Sequence, residues 1–294
     1  MASTTDQTWD IKRLLEWTTE FFQSKELDSP RLCAEILLAE ALKCQRIELY
    51  TRFDEVPAED RLSVYRDWVK RHAKNEPVAY LVGHKEFYSL KFEVDSNVLI
   101  PRPETEHLIL ETIEAAKTLD KPTVNILDVG TGSGCIAVTL ATQIKNSSIV
   151  ATDISAKAIH VAQKNAANHQ VDSQVQFVNG DLLEPVPNDF IPDIVVSNPP
   201  YVGRNETSTM DESVKKYEPE IALYAGDEGT ELIQKLAKQS ANRLANGGYL
   251  IFETSPVIFD RCLEIVAHES RFTDTKTVKD LAGHRRIIRT IKTG

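Results

Sequence analysis

Cysteine is scarce in this 294-residue chain, and the four that occur (Cys33, Cys44, Cys135 and Cys262) lie far apart with no C-x-x-C pair. That argues against a disulfide framework and a thiolate zinc site, and no metal-ligand set is expected; a reducing cytoplasm is the expected compartment. Long apolar runs are missing as well: none approaches the roughly 20 residues that a membrane helix needs, so no membrane association is expected. Positive charge is in the minority. Lysine and arginine number 34 against 44 acidic residues, a formal net charge of −10. Residues 1–95 hold 14 basic and 18 acidic residues, and residues 96–294 hold 20 and 26, so neither part is a basic domain. Proteins that hold duplexes usually offer phosphates a positive face, so direct nucleic-acid binding is not expected. The first ten residues carry two aspartates and no basic residue, unlike a secretory signal or an Arg-rich transit peptide. Repeats and low-complexity tracts are absent. The remaining composition, 41% hydrophobic and 27% charged, is that of a globular chain long enough for two cores.

Up to about residue 75 the pattern is helical. Ile11, Leu14, Leu15, Thr18, Phe21 and Phe22 recur at three-to-four spacing. Ser29-Pro30 reads as N-cap and first helical residue, followed by Cys33, Ile36, Leu37 and Ala41 on one face. A third helix is expected from near Pro57, with Leu62, Tyr65, Trp68 and Val69 inward. Its other face holds Arg61, Arg66, Lys70, Arg71 and Lys74, which reads either as a solvated surface or as a dock for an acidic partner. From Pro77 to Val94 the period changes, and Tyr80–Val94 reads as a hairpin that turns near Ser89 or Gly83. Ile100-Pro-Arg-Pro103 then imposes extended backbone, because a residue before proline avoids the helical region. A helix is expected over 104–117.

Beyond Pro122 the pattern alternates. Strands are predicted at 124–129, 148–153, 174–178, 193–197, 248–253, 273–278 and 285–292, and helices at 134–145, 155–168, 228–245 and 257–268. Such alternation implies an open, mostly parallel seven-stranded sheet covered on both faces. The expected organisation is a helical domain over 1–76, a hairpin and linker over 77–103, and an α/β domain over 104–294. In a sheet of this kind ligands bind beyond the carboxyl ends of the strands, where strand order reverses.

Four constellations stand at those ends. In Ile126-Leu-Asp-Val-Gly-Thr-Gly-Ser-Gly134 an apolar strand enters a glycine-rich turn that opens a helix. Gly130, Thr131, Gly132 and Gly134 let a ligand approach the main chain, or else form a tight turn with no ligand. The G-x-G-x-G spacing is not the dinucleotide fingerprint, and there is no G-K-[ST]. Asp153 ends the second strand, where a carboxylate accepts from both hydroxyls of a ribose that carries no phosphate; its alternative role is a helix cap, with Ser155 as the rival. Gly180-Asp181-Leu182 follows the third strand, and Asp181 would accept from an adenine amino group while Leu182 lies against the ring, although a Gly-Asp pair also makes plain turns.

The fourth carries the most information. Asp193-Ile-Val-Val-Ser-Asn-Pro-Pro-Tyr201 ends a strand in two prolines, which hold the chain extended and donate no hydrogen bond. The Asn198 side-chain oxygen and the Pro199 carbonyl are then paired acceptors for the two N–H bonds of a planar amino group, Pro200 stiffens the segment, and Tyr201 covers the plane by stacking. An Asn-Pro turn is the bland alternative.

The stretch 124–201 resembles a class I S-adenosylmethionine-dependent methyltransferase of Rossmann-like fold, and Asn-Pro-Pro-Tyr is the signature of members that methylate adenine N6 or a glutamine amide. Glu76-Pro-Val-Ala-Tyr-Leu-Val-Gly83, Glu86-Phe87, Ile100-Pro-Arg-Pro-Glu-Thr-Glu106, Tyr217-Glu218-Pro219, Ala222-Leu223 and Asp280-Leu-Ala-Gly283 with Arg286 together resemble the peptide-chain release factor glutamine methyltransferase family (PrmC, also called HemK). The likeness runs from the first helices nearly to the end. In the sister family acting on a ribosomal protein, the Pro-Arg-Pro-Glu-Thr stretch typically reads Pro-Arg-Ser-Pro.

The resemblance implies an enzyme that methylates N5 of the glutamine in the Gly-Gly-Gln motif of class 1 release factors, modulating translation termination, with the helical domain recognising the substrate. It implies Gly130, Thr131, Gly132, Gly134, Asp153, Asp181, Leu182 and Asn198 against the cofactor, whose product is S-adenosylhomocysteine. It implies Asn198, Pro199, Pro200 and Tyr201 around the amide, Asn198, Pro199 and Tyr201 being catalytic, with Arg102 helping to close the pocket. A monomer is expected. A departure stands at Glu253-Thr-Ser255, where the family tends to have glycine in place of Ser255 and a glutamine soon after. Rival expectations are a ribosomal-protein glutamine or adenine-N6 methyltransferase, and a non-catalytic cofactor-binding module.

Overall fold

A computed structural model of the chain describes residues 8–205 and 210–293. Most of the polar start thus lies outside the described residues. The chain divides into two units: Met1–Gly83 with Glu212–Tyr217, and His84–Asp211 with Glu218–Gly294. Among the described residues no helix is long and apolar enough to cross a membrane.

The first unit is helical. Helices α1 (Ile11–Ser24), α2 (Pro30–Leu42), α3 (Arg46–Thr51), α4 (Glu59–His72) and α5 (Val78–Val82) pack around Leu15, Phe22, Leu37, Leu38, Leu49 and Tyr65. The Asp10 carboxylate caps α1 by accepting from Arg13 N at 2.8 Å. Across the core the Tyr65 hydroxyl donates to Thr18 Oγ1 at 2.8 Å, so the one polar group on the inner face of α1 is satisfied. Ser29 does stand at the N-cap of α2, but at φ 47° its side chain makes no capping bond. The buried face of α2 is Ala34, Leu37, Leu38 and Ala41, and it leaves Cys33 and Ile36 only half-buried. Buried Glu35 is held by Arg31 Nε at 2.7 Å, by Arg46 Nη2 at 2.8 Å and by the Tyr50 hydroxyl. The basic face of α4 is largely neutralised within the unit: Arg66 pairs with Glu59, Arg71 with Glu76 at 2.5 Å, and Arg61 with Asp60 at 3.6 Å. That favours the solvated reading of the face.

The expected hairpin is shorter than its sequence pattern. Val78–Val82 is a turn of helix closed by Gly83 at φ 79°, and only then do β1 (His84–Phe87) and β2 (Leu90–Glu93) pair antiparallel. Tyr88 and Ser89 form the turn, both at positive φ. The apolar residues at 78–82 sit at a helical period after a proline that suits a helix start. The period-two signal belongs to 84–93 alone.

In the second unit a 3-10 turn (Pro103–Thr105) leads into α6 (Glu106–Leu119). Then come β3 (Val124–Val129), α7 (Cys135–Gln143), β4 (Ser147–Asp153), α8 (Ala156–Asn168), β5 (Val175–Asn179) and β6 (Ile194–Ser197). The short helix α9 (Glu212–Tyr217) belongs to the first unit. After it run α10 (Glu231–Arg243), β7 (Tyr249–Glu253), α11 (Phe259–His268), β8 (Phe272–Lys279) and β9 (Arg285–Lys292). Each of the seven predicted strands of this region appears within two residues of its expected bounds. The order across the sheet is β5-β4-β3-β6-β7-β9-β8, parallel except where β9 meets β7 and β8.

Alternation along the strands loads both faces. Ile126, Ile194, Val196 and Ile251 enter one core with Leu108, Ile136 and the hairpin's Phe87 and Phe92; Leu127, Val195, Leu250 and Phe252 enter the other with Ile233, Leu236 and Phe259. Neither α3 nor α9 is predicted from the sequence. Each has only six residues, too few for a hydrophobic period to register.

Candidate active site

Strand order reverses between β3 and β6. The register pairs Val129 with Ser197, so Gly130 and Asn198 leave the sheet side by side at its carboxyl edge. The next strand pair sets Ser197 beside Phe252, which brings Glu253 to the same edge. A cavity of about 350 Å³ opens there. Gly130, Gly132, Asp153, Asp181, Leu182, Asn198, Pro199 and Pro200 all line it, so the four constellations of the sequence meet in one space of ligand size.

The glycines have different duties. Gly130 and Gly132 have φ of 74° and 55°, and a Cβ on either would meet nothing within 4 Å. They leave open main chain facing the cavity. Gly134 (φ 80°) is instead a packing residue, since a Cβ there would stand 3.0 Å from Ala162 Cβ on α8. Thr131 is buried and turns away, its hydroxyl donating to Asp128 Oδ2 at 2.6 Å. Neither Gly134 nor Thr131 lines the cavity.

Asp128 is wholly buried, and among the described residues its Oδ1 has no hydrogen-bond partner while Oδ2 also accepts from Ala137 N at 3.2 Å. Burial pushes its carboxyl up to about 7, against the bonds from Thr131 and Ala137.

Asp153 reaches across the glycine loop. Its Oδ2 accepts from Gly132 N at 2.9 Å and its Oδ1 from Ser155 N at 2.8 Å. Ser155 caps α8 by accepting from Ala158 N, so the cap does not require Asp153. Burial raises the Asp153 carboxyl above its ordinary value, offset in part by the two N–H donors. Leu182 is buried at φ 48°, held by Thr152 Oγ1 donating to its carbonyl at 2.8 Å.

On the far wall Asn198 is half-buried and Pro199 buried. Asn198 Nδ2 donates to Thr105 Oγ1 at 3.1 Å, and the Thr105 hydroxyl donates to Glu253 Oε2 at 2.8 Å. Thr105 and Glu253 are each 2% exposed, and burial raises Glu253 to about 7. Tyr201 does not line the cavity: its ring packs against the α10–α11 core, and burial lifts its phenol to about 12. Arg102 does not line it either. Its guanidinium is 2.5 Å from the Glu218 carboxylate, which also accepts from Ile100 N at 3.2 Å. Arg102 therefore ties Glu218 to the Pro-Arg-Pro segment.

Sequence reasoning did not anticipate the part of the lining given by Asn97, Leu99, Ile221, Tyr224 and Lys235. These lie in loops, in a 3-10 turn (Glu220–Ala222) and on α10, where no local spacing marks them. At the departure from the family pattern, Thr254 N donates to Arg286 O on β9 at 2.8 Å and Ser255 Oγ accepts from Val257 N at 3.1 Å.

The family model described as PrmC N-terminal domain matches residues 13–83, and that described as Methyltransferase small domain matches 105–216. A protein of Rhodopirellula baltica named release factor glutamine methyltransferase is 45% identical over 291 residues, 98% of each chain. Those of the same name from Koribacter versatilis and Chlorobaculum tepidum are 38% and 41% identical, covering 95% and 84% of this chain and 97% and 86% of theirs. In fold, the chain is similar to the hMettl16 catalytic domain solved with an RNA hairpin (TM-score 0.55, 15% identity, 78% of this chain and 81% of that one).

Proposed function

The chain belongs to the release factor glutamine methyltransferase family, and we propose that it transfers a methyl group from S-adenosylmethionine to N5 of the Gly-Gly-Gln glutamine of class 1 release factors. The observation that carries this reading is the shared cavity: the open glycine main chain, Asp153 and Asp181 face the same space as Asn198 and Pro199. That space fits the cofactor, for a Cβ at Gly130 or Gly132 would meet no atom and the volume is about 350 Å³. Asp153 would hold the ribose hydroxyls and Asp181 with Leu182 the adenine. When bound, the cofactor supplies a methyl group activated by its sulfonium.

The chain's own task is to prepare a poor nucleophile. An amide nitrogen is weakly nucleophilic because its lone pair is delocalised into the carbonyl. Asn198 Oδ1 and the Pro199 carbonyl each accept one of its N–H bonds. Holding both hydrogens fixes the plane and turns the lone pair toward the methyl group, an orientation effect worth up to roughly 7–11 kcal/mol in favourable cases. Positive charge grows on the nitrogen as the bond forms, so the two acceptors bind more strongly at the transition state than before it. The N–H proton is then strongly acidic and passes to water.

The test is mass spectrometry of release factors incubated with the protein and methyl-labelled cofactor. A gain of one methyl on the Gly-Gly-Gln glutamine is expected. Label found in RNA, DNA or a ribosomal protein instead would redirect the assignment to one of the rival substrates.

A further inference from the structure

We propose that Thr105 and Glu253 are positioning residues that set the polarity of the Asn198 side-chain amide, so that its oxygen rather than its –NH2 faces the substrate. The inference rests on the amide-gripping role of Asn198 and Pro199. A side-chain amide has two orientations that fill nearly the same volume, and only one offers an acceptor to a substrate –NH2. Nothing in the Asn-Pro-Pro-Tyr segment itself chooses between them. The choice lies in a relay crossing three elements: the end of β6, the turn before α6 and the end of β7.

The relay works by donor counting. A carboxylate at Glu253 can only accept. The Thr105 hydroxyl has one proton, and it is spent on Glu253 Oε2 at 2.8 Å. The Thr105 oxygen is left as an acceptor, which Asn198 Nδ2 fills at 3.1 Å. Oδ1, on the other arm of the planar amide, is therefore turned away from Thr105, and Asn198 lines the cavity. Because Thr105 and Glu253 are each 2% exposed, water does not compete for these positions. A protonated Glu253 reverses the logic. It can donate to Thr105, whose hydroxyl then donates to Asn198 Oδ1, and –NH2 is what faces the substrate.

The charged and titratable groups around Glu253 are Arg286 on β9, Arg102 and Glu104 ahead of α6, Tyr201 after β6 and Cys135 at the start of α7. The two arginines favour the carboxylate and Glu104 opposes it, while burial opposes it most and raises Glu253 to about 7. The relay thus switches within the neutral range, and protonation turns the amide grip off.

The experiment measures kcat on a release factor with saturating cofactor. Thr105→Val should lower kcat by about 10–100-fold, the cost of losing one orienting bond at a reacting group, with cofactor affinity by calorimetry unchanged. Thr105→Ser, which keeps the hydroxyl, should restore it. Wild-type kcat should fall as pH drops below about 7, whereas Glu253→Gln, which cannot ionise, should give a lower and pH-independent kcat. If Thr105→Val does not fold, the pH profiles decide alone. Wild-type kcat in Thr105→Val beside an inactive Asn198→Ala would overturn the relay and leave the amide grip standing, as would a flat wild-type profile. Full activity in Asn198→Ala would overturn the grip itself, and the relay with it.

Discussion

Gly134 packs closely on Ala162: a Cβ on Gly134 would lie 3.0 Å from the Ala162 Cβ and 3.1 Å from its Cα, tighter than side chains ordinarily pack, on backbone at φ 80°. The last glycine of the loop is thus a contact between α7 and α8, and the first two are the open floor of the cavity. Gly134→Ala should therefore destabilise the fold, by about 2–3 kcal/mol from overpacking and a left-handed backbone together. Gly132→Ala shares the left-handed backbone (φ 55°) but meets no atom, so it should cost about 1–2 kcal/mol in stability, less than Gly134→Ala, while weakening cofactor binding more strongly. Urea titration read against calorimetry separates the two. Equal stability losses would erase the distinction.

Asp153→Ala removes a carboxylate that no helix cap needs, because Ser155 already caps α8. Loss of charge-assisted hydrogen bonds to the ribose should weaken S-adenosylhomocysteine binding by roughly 10–100-fold. The KM for the release factor should stay as it is. Unchanged cofactor affinity in calorimetry would remove Asp153 from the ribose site.

Asn198→Ala should leave cofactor affinity nearly intact while kcat falls by about 10²–10³-fold, the scale seen when one preorganised polar partner of a transition state is lost. If both fall equally, Asn198 belongs to the cofactor or to folding.

Most of the sheet was legible because its central strands are short apolar runs closed by glycine, proline or aspartate. The meeting of Gly130, Asp153 and Asn198 followed from the rule that binding occurs where strand order reverses, and the register of Val129 with Ser197 realises it. Contacts set only by tertiary packing were not legible. Arg102, expected at the pocket, is bound to Glu218, 116 residues further along the chain. Tyr201, expected to cover the substrate, is held in the core. Thr105 reads as an ordinary turn residue until the fold brings Asn198 and Glu253 to it. The hairpin was overextended at Tyr80–Val82, because five apolar residues after a proline suit a helical turn as well as a strand.

The Arg102–Glu218 pair is unequal: the acid side chain is 1% exposed and the guanidinium 33%. Removing the base leaves a buried carboxylate with Ile100 N, at 3.2 Å, as its donor among the described residues. Arg102→Ala should therefore destabilise the protein by about 2–4 kcal/mol, and Glu218→Gln in the Arg102→Ala background should recover part of that loss. Denaturant unfolding of the four members of the cycle measures the coupling. A coupling near zero would place Arg102 elsewhere, including the pocket closure that the sequence suggested.

Asp128 makes the stability of the protein depend on pH in an unusual direction. Its carboxyl rises from an ordinary 3.8 to about 7 on burial. Between those values the folded state keeps a proton that the unfolded chain has lost. Stability therefore falls as pH rises through this window, the reverse of a carboxylate held by an arginine. Glu253, raised from 4.5 to about 7, acts in the same sense. The cofactor-free protein should melt higher at pH 6 than at pH 8. Asp128→Asn keeps an oxygen for Thr131 and for Ala137 N but never ionises. It should raise the melting temperature at pH 8 by about 2–5 °C and narrow the gap between the two pH values. Calorimetric scans that give the wild type and Asp128→Asn the same pH dependence would show that the aspartate is ionised in the folded protein throughout.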